Sequence, residues 1–393
     1  MERIKIQFVD IPESSFDKKH NWITDTLRKR YHVEFSDTPD FLFYGVFGYS
    51  HMNYTDCVKV LLPGENVVPN FNECDYAFSF NYLTFGDRHF RGIFGDPVAD
   101  TISNIKREIQ DTRLLPEGMA RRKFCNFVYS QDTVGEGAVL RKNFCARLMA
   151  YKKVDCPGLV LNNMPAGSIA PRWNSSEYSS GNVNRGWNDG KIKFLGQYKF
   201  TIAFENVRTE GYTTEKLIHP FLARSIPIYW GNPEVARDFN PKAFINCNDY
   251  ETFDEVIDKI IELDNDDEKY MAMLREPPMA EGYDFEAEKH GREFLYRIIE
   301  RGNRPFDKDP LAKDIVSQLR NDVVYAWDII DSLKKEAASN GLIIGENIPV
   351  LNVHIPLIYR AANRLYRWTQ HGIGRVIKNI IKAPLKLFRR KPA

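Results

Sequence analysis

A threonine pair followed by an acid and a base, Thr213-Thr214-Glu215-Lys216, opens a stretch with helical apolar spacing at Leu217, Ile218, Phe221 and Leu222. A threonine there can cap the helix and leave backbone N–H groups open at its N-terminus, where the helix dipole favours an anion. A phosphate suits that place, with Lys216 beside it as a point charge. Glu215 has the opposite sign, which suits a ligand carrying hydroxyls as well as phosphates. The plain alternative is a helix start with a solvated Glu-Lys pair, and spacing alone leaves both readings open. Two other features invite chemistry and are declined. Asp264-Asn265-Asp266 has the form of a metal-binding triplet but follows a helix in a charge-rich connector. The eight histidines are dispersed, and His219 reads as a helix-face residue rather than an acid or base.

The elements that must hold Glu215 and Lys216 form one βαβ unit. Residues 198–204 and 226–230 are β-prone runs, and residues 214–224 between them are a helix with a proline, Pro220, deep inside it. Pro220 removes the bond to the Lys216 carbonyl and is expected to bend the helix. In such units ligands collect outside the carboxyl ends of the strands, so the chemistry belongs to the polar, glycine-containing loops 205–212 and 231–232.

This stretch carries a specific resemblance. Phe204-Glu205-Asn206, Gly211-Tyr212-Thr213-Thr214-Glu215-Lys216, Ile226-Pro227-Ile228-Tyr229-Trp230-Gly231 and Asp238-Phe239-Asn240-Pro241 closely resemble the signature of the α-1,3-fucosyltransferases, especially the bacterial ones. The match is dense over residues 197–246, thins elsewhere, and reappears at Gly64-Glu65-Asn66 and around Arg141. The family implies an α/β GT-B fold of two Rossmann-like domains facing across a cleft. It also implies GDP-fucose as donor, no required metal or other cofactor, and inversion at the anomeric carbon. Pro220 departs from the pattern, since relatives generally keep another residue there.

The resemblance also implies roles. Glycosyl transfer needs a base for the acceptor hydroxyl, cations or N–H donors for the departing diphosphate, and a frame that aligns both. Glu65 stands where the resembling enzymes carry their proposed general base; a loop glutamate without that resemblance is ordinarily just solvated. Arg141, in Val139-Leu140-Arg141-Lys142-Asn143-Phe144, is similar to the family's Arg-Asn-Ala-Phe at a helix start. Its guanidinium can grip a phosphate with two parallel hydrogen bonds. Lys216 would share that task, Glu215 would bind fucose or ribose hydroxyls, and Asn206 and Tyr212 would shape the nucleotide pocket. The expected reaction moves L-fucose to a hydroxyl, O3 by preference, of N-acetylglucosamine in a lactosamine-type glycan. The rivals are a GT-B transferase for another sugar nucleotide and a catalytically silent glycan- or membrane-binding protein on the same scaffold.

Length and composition frame this reading. The 393 residues can build two cores, and 27% charged against 43% hydrophobic residues is ordinary for a soluble globular chain. The net charge of +1 conceals an uneven distribution. From Arg360 onward there are ten Lys/Arg and no Asp/Glu, which leaves 44 basic against 53 acidic residues in the rest, a balance of −9. Large apolar residues such as Leu357, Ile358, Leu365, Trp368 and Phe388 interleave with that basic tail. Such a segment suits an anionic membrane surface better than nucleic acid, whose phosphates need no apolar side. The expected organisation is an acceptor-binding domain over residues 1–121, a GDP-fucose-binding domain over 122–310, a helical segment over 311–354 and a basic amphipathic tail over 355–393. The six cysteines have no metal-ligand spacing and read as reduced thiols. With no signal peptide and no long apolar run, the expected location is cytoplasmic, peripheral at the inner face of a bacterial membrane.

Overall fold

The computed structural model describes residues 1–12, 16–62, 64–92, 110, 115, 118–132, 135–169 and 190–306. The chain divides into two compact units, Met1–Leu319 and Arg320–Ala393, and all the described residues lie in the first. The expected helical segment over 311–354 and the basic tail therefore fall outside them.

Six parallel strands build the first sheet: β1 (Glu2–Val9), β2 (Tyr31–Phe35), β3 (Phe41–Tyr44), β4 (Val58–Leu61), β5 (Tyr76–Ser79) and β6 (His89–Arg91), in the order β2-β1-β3-β4-β5-β6. Every residue of Phe41–Tyr44 and of Tyr76–Ser79 is buried, as expected of parallel strands covered on both faces. Helix α1 (Trp22–Arg28) joins β1 to β2, and the Asn21 side chain caps it by accepting from the Ile23 and Thr24 amides. Tyr31, three residues past the end of that helix, starts β2.

The second sheet is also parallel. It comprises β7 (Lys123–Asn126), β8 (Val154–Asp155), β9 (Tyr198–Phe204), β10 (Ile226–Trp230) and β11 (Ile245–Asn246), in the order β11-β10-β9-β7-β8. Helix α2 (Glu136–Leu148) follows β7, and α3 (Glu215–Leu222) links β9 to β10 with paired register Ile226↔Phe200 through Trp230↔Phe204. Helices α4 (Phe253–Asn265) and α5 (Asp267–Leu274) cover one face, burying Val256, Ile260, Leu263, Tyr270 and Leu274. All six cysteines are buried and free.

Helix α6 (Ala287–Glu300) departs from the expected organisation. The sequence reading assigns it to the second domain, yet Phe294, Leu295, Ile298 and Ile299 pack in the core of the first sheet beside Phe8, Phe43 and Phe78. Tyr296 donates to the Thr26 carbonyl of α1 at 2.9 Å. Apolar periodicity reports that a helix has a face to bury, not which sheet receives it.

Candidate active site

The βαβ unit centred on α3 positions a buried charge cluster. Glu205, the residue after β9, is fully buried, and its carboxylate accepts from the Thr214 amide at 2.8 Å and the Thr214 hydroxyl at 2.7 Å. The Lys216 ammonium stands 3.4 Å from Glu205, 3.3 Å from Glu215 and 3.1 Å from the Thr214 hydroxyl. Burial pushes the Glu205 carboxyl up, against the pull of Lys216. Burial works against the Lys216 cation, but Glu215 and Glu205 outweigh it and hold its pKa above the ordinary value. Burial likewise opposes ionisation of Glu215, and Lys216 and Lys191 more than offset it, so this carboxylate sits below its ordinary range. The Lys216 side chain keeps 15% of its surface and Glu215 44%, so both remain reachable by a ligand.

The helix N-terminus differs from the expectation in one respect. The Thr214 amide turns to Glu205, and the Thr214 hydroxyl, which caps the Lys216 amide, serves Glu205 as well. An internal carboxylate thus occupies donors that a phosphate was expected to find. The positive charge at this place comes from side chains, Lys216 first.

Arg141 supplies the second such side chain. It lies on α2, only 2% exposed, donating from Nη1 to Asn206 Oδ1 at 2.8 Å and from Nη2 to the Gln131 carbonyl at 2.6 Å. Its guanidinium stacks 4.1 Å from the centre of the Tyr129 ring. Burial lowers its pKa, while Tyr129 and Glu205 act the other way, and a guanidinium starts so high that it stays charged. Its Nε has no hydrogen-bond partner among the described residues. The start of α2 reaches the end of β9 because position 137 is glycine: a Cβ there would collide with the Glu205 carbonyl and the Trp230 ring. Lys191, Lys216, Tyr129, Val128, Thr201 and Pro220 line a small hollow beside this group. Pro220 sits inside α3, which ends two residues later.

Loop 205–212 then reaches the first sheet. The Tyr212 side chain, 2% exposed, packs edge-on against Phe80 and donates from its hydroxyl to Glu65 Oε2 at 3.3 Å. Asn66 donates to the Thr209 hydroxyl at 2.7 Å. Glu65 is exposed, just beyond β4, so the first-sheet carboxylate and the loop leading to Lys216 share one seam. A salt bridge closes it: both terminal nitrogens of Arg91, on β6, pair with the Asp238 carboxylate at 2.9 and 2.7 Å, and the Tyr82 hydroxyl adds a bond of 2.7 Å. Arg91 also donates to the Phe80 carbonyl at 2.9 Å and, more weakly, to the Gly211 carbonyl at 3.5 Å.

The structure thus brings Glu65 to Tyr212, Arg141 to Asn206, and Lys216 to Glu215. Sequence reasoning missed Glu205 as a buried anion, Tyr129 as the shelf under Arg141, and the pairing of Arg91 with Asp238. Glu205 and Asp238 did lie in the motifs that carry the resemblance, but only burial reveals their work. The declined triplet is structural: Asp264 pairs with Lys152 at 2.9 Å and Lys199 at 3.2 Å, and Asp266 caps α5. Among the described residues no group of three His, Cys, Asp or Glu could hold a metal ion.

Two Rossmann-like sheets, each parallel and each with its loops at the strand carboxyl ends, define a GT-B fold. The profile of the "Alpha-(1,3)-fucosyltransferase FucT N-terminal domain" matches residues 6–94, and that of "Glycosyltransferase family 10 (fucosyltransferase) C-term" matches residues 122–275. The chain belongs to glycosyltransferase family 10, the fucosyltransferases. It is similar to the Alpha-(1,3)-fucosyltransferase FucT of Helicobacter pylori, with 31% identity over 288 residues, 64% of this chain and 55% of that protein. It is similar over a shorter part to the GDP-fucose protein O-fucosyltransferase 3 of Bos taurus, with 32% identity over 34% of this chain and 26% of the other. The matched part thus spans about half, or less, of these curated relatives. Among solved structures, an alpha1,3-fucosyltransferase with GDP covers 79% of this chain and 93% of its own at a TM-score of 0.60 and 26% identity. The corresponding structure with GDP-fucose covers 76% of this chain and 91% of its own at a TM-score of 0.58 and 28% identity.

Proposed function

We propose that this chain is a fucosyltransferase that takes L-fucose from GDP-fucose and places it on a hydroxyl of N-acetylglucosamine, O3, in a lactosamine-type glycan. The observation that carries the reading is the bond from Tyr212 to Glu65, which sets a first-sheet carboxylate against the loop that leads to Lys216. In this scheme Glu65 takes the proton of the acceptor hydroxyl as its oxygen attacks the anomeric carbon. The bond to the diphosphate breaks on the opposite side, so configuration inverts, by analogy with inverting glycosidases. Arg141 and Lys216 hold the negative charge growing on GDP, and they remain fixed because Asn206, Tyr129 and Glu205 hold them. Glu215 would accept from sugar hydroxyls. The scheme needs no metal, because the two cations do the charge stabilisation.

The test is to mix the full chain with GDP-fucose and N-acetyllactosamine, follow GDP release, and determine the linkage in the product. Formation of an α-1,3-fucosylated product in the presence of a chelator, and its loss in the Glu65→Gln variant, is the expected result. A product from another sugar nucleotide but not from GDP-fucose would overturn the donor assignment.

A further inference from the structure

The first sheet has its own topological switch point. In the order β2-β1-β3-β4-β5-β6 the chain leaves β1 toward one edge and β3 toward the other, so the crevice opens between the carboxyl ends of β1 and β3. Asp10 follows β1 there, and residues 45–51 follow β3. The two are bound tightly together. The Asp10 carboxylate accepts from the Ser50 amide at 2.9 Å, the His51 amide at 2.9 Å and His51 Nδ1 at 2.6 Å, and the Asp10 carbonyl accepts from the Phe47 amide at 3.0 Å. His51 is buried, stacked on Tyr44 with ring centres 4.1 Å apart, and its Nε2 lies 3.9 Å from Glu73. A Cβ at position 48 would press on the Asp10 carboxylate and disturb these bonds.

This buried anchor holds two aromatic side chains out in solvent. Phe47 is 57% exposed and Tyr49 47%. Packing does not call for that arrangement, because an exposed ring gains nothing from being held rigid unless something binds to it. The adjacent loop is the one that carries Glu65: β3 pairs with β4 up to Tyr44↔Leu61, and the Leu62 amide donates to the Tyr44 carbonyl at 2.8 Å. Phe47 stands three residues past Tyr44, and Glu65 three past Leu62. Residues 45–55 contain no Lys, Arg, Asp or Glu but do contain Tyr49, Ser50, Asn53, Tyr54 and Thr55, a lining for a neutral ligand with many hydroxyls.

We infer that Phe47 and Tyr49 form a stacking platform for a pyranose ring of the neutral glycan acceptor, placed by the Asp10–His51 anchor at the first sheet's switch point. The C–H groups on one face of a pyranose are polarised by the ring and hydroxyl oxygens, and they meet the negative face of an aromatic ring favourably. The inference rests on the fucosyl-transfer reading for the identity of the acceptor. It goes beyond it in assigning the surface that the acceptor's non-reacting part occupies.

The test compares the full chain with F47A, Y49A, the double variant, Y49W, and Leu159→Ala, an exposed apolar residue of the second sheet's lobe. Each alanine is expected to raise the KM for N-acetyllactosamine about tenfold, with the KM for GDP-fucose and its acceptor-free hydrolysis unchanged. Tyr49→Trp should keep the acceptor KM, and Leu159→Ala should leave everything unchanged. Binding of the chain to an array of neutral glycans, lost in the double variant, reads the platform without the donor. Unchanged acceptor KM and array binding in the double variant, with GDP release intact, would overturn the inference. Loss of binding to phosphatidylglycerol vesicles with unchanged acceptor KM would instead make the two rings a lipid contact. Array binding that depends on Phe47 and Tyr49, without any GDP release from GDP-fucose, would leave the platform standing and sink the fucosyl-transfer reading.

Discussion

The Tyr212 hydroxyl donates to the Glu65 carboxylate across the seam between the two sheets, 3.3 Å from oxygen to oxygen. Burial, with Glu205 behind it, pushes the Tyr212 phenol well above its ordinary pKa, so it stays a donor throughout the working range. A base that receives such a bond is aimed but not disabled, because a carboxylate has further lone pairs for an acceptor hydroxyl. Glu65→Gln should therefore abolish transfer while sparing donor binding. Tyr212→Phe should lower kcat about tenfold with little change in donor affinity, since it removes orientation and keeps the base. Equal kcat for Tyr212→Phe and the parent would show that the bond aims nothing.

Lys216 neutralises one buried and one half-exposed carboxylate before any ligand arrives. Lys216→Ala leaves Glu205 buried without its cation. It should both weaken GDP binding by at least about tenfold and cost about 3 kcal/mol of stability. Isothermal titration with GDP and thermal denaturation without it separate the two effects. Adding Glu205→Gln should restore much of the stability but not the affinity; recovery of both would mean that Lys216 serves the fold alone.

His219, one turn along α3 from Glu215, is buried with no hydrogen-bond partner for Nδ1 among the described residues. Burial, with Lys191 nearby, lowers its pKa from 6.5 to about 3. The folded protein therefore stays unprotonated here at a pH where the unfolded chain binds a proton, so stability rises with pH across that window and falls on acidification. About 2 kcal/mol should be lost between pH 6.5 and 5, read as a falling Tm. His219→Gln should flatten this dependence. An equally steep profile in the variant would place the acid sensitivity elsewhere.

What the sequence disclosed follows from how far each signal is local. Strands β9 and β10 and helix α3 were legible because continuous apolar runs and a capped, amphipathic segment lie next to each other in the chain. β2 starts three residues after a helix and has only Tyr31 fully buried, and β6 is a half-buried edge strand of three residues, so neither carries a long apolar run. Among the candidate site residues, Glu215 and Lys216 stood out by their place at a helix start, and Glu65 and Arg141 by resemblance. Glu205 looked like any acid in a loop; its burial depends on the close approach of α2 allowed by Gly137.

The basic segment lies outside the described residues, and its membrane role is a proposal from composition. Truncation after Ile355 should release the protein from anionic vesicles in sedimentation while preserving transfer to soluble acceptors. Each basic residue near such a surface contributes about 1 kcal/mol, so ten of them should make binding steeply salt-dependent. Sedimentation that is the same with and without the tail would remove the proposal.

Arg91 and Asp238 lie 147 residues apart and meet in a two-bond ion pair, with Tyr82 as a third partner. The Arg91 side chain is 21% exposed and that of Asp238 9%, so loss of either partner strands a charge in a poorly hydrated place. The pair also bears on loop 205–212, because Arg91 reaches the Gly211 carbonyl while the Gly211 amide donates to Asn232 at 3.0 Å. Breaking the pair should therefore loosen Tyr212, the next residue, and not only the seam. Arg91→Ala and Asp238→Ala should each cost about 2–4 kcal/mol. The double variant should cost less than their sum, and each should raise the KM for GDP-fucose. Additive losses in the double-variant cycle would show that the two residues act separately. Destabilisation without any change in donor KM would confine the pair to holding the two sheets together.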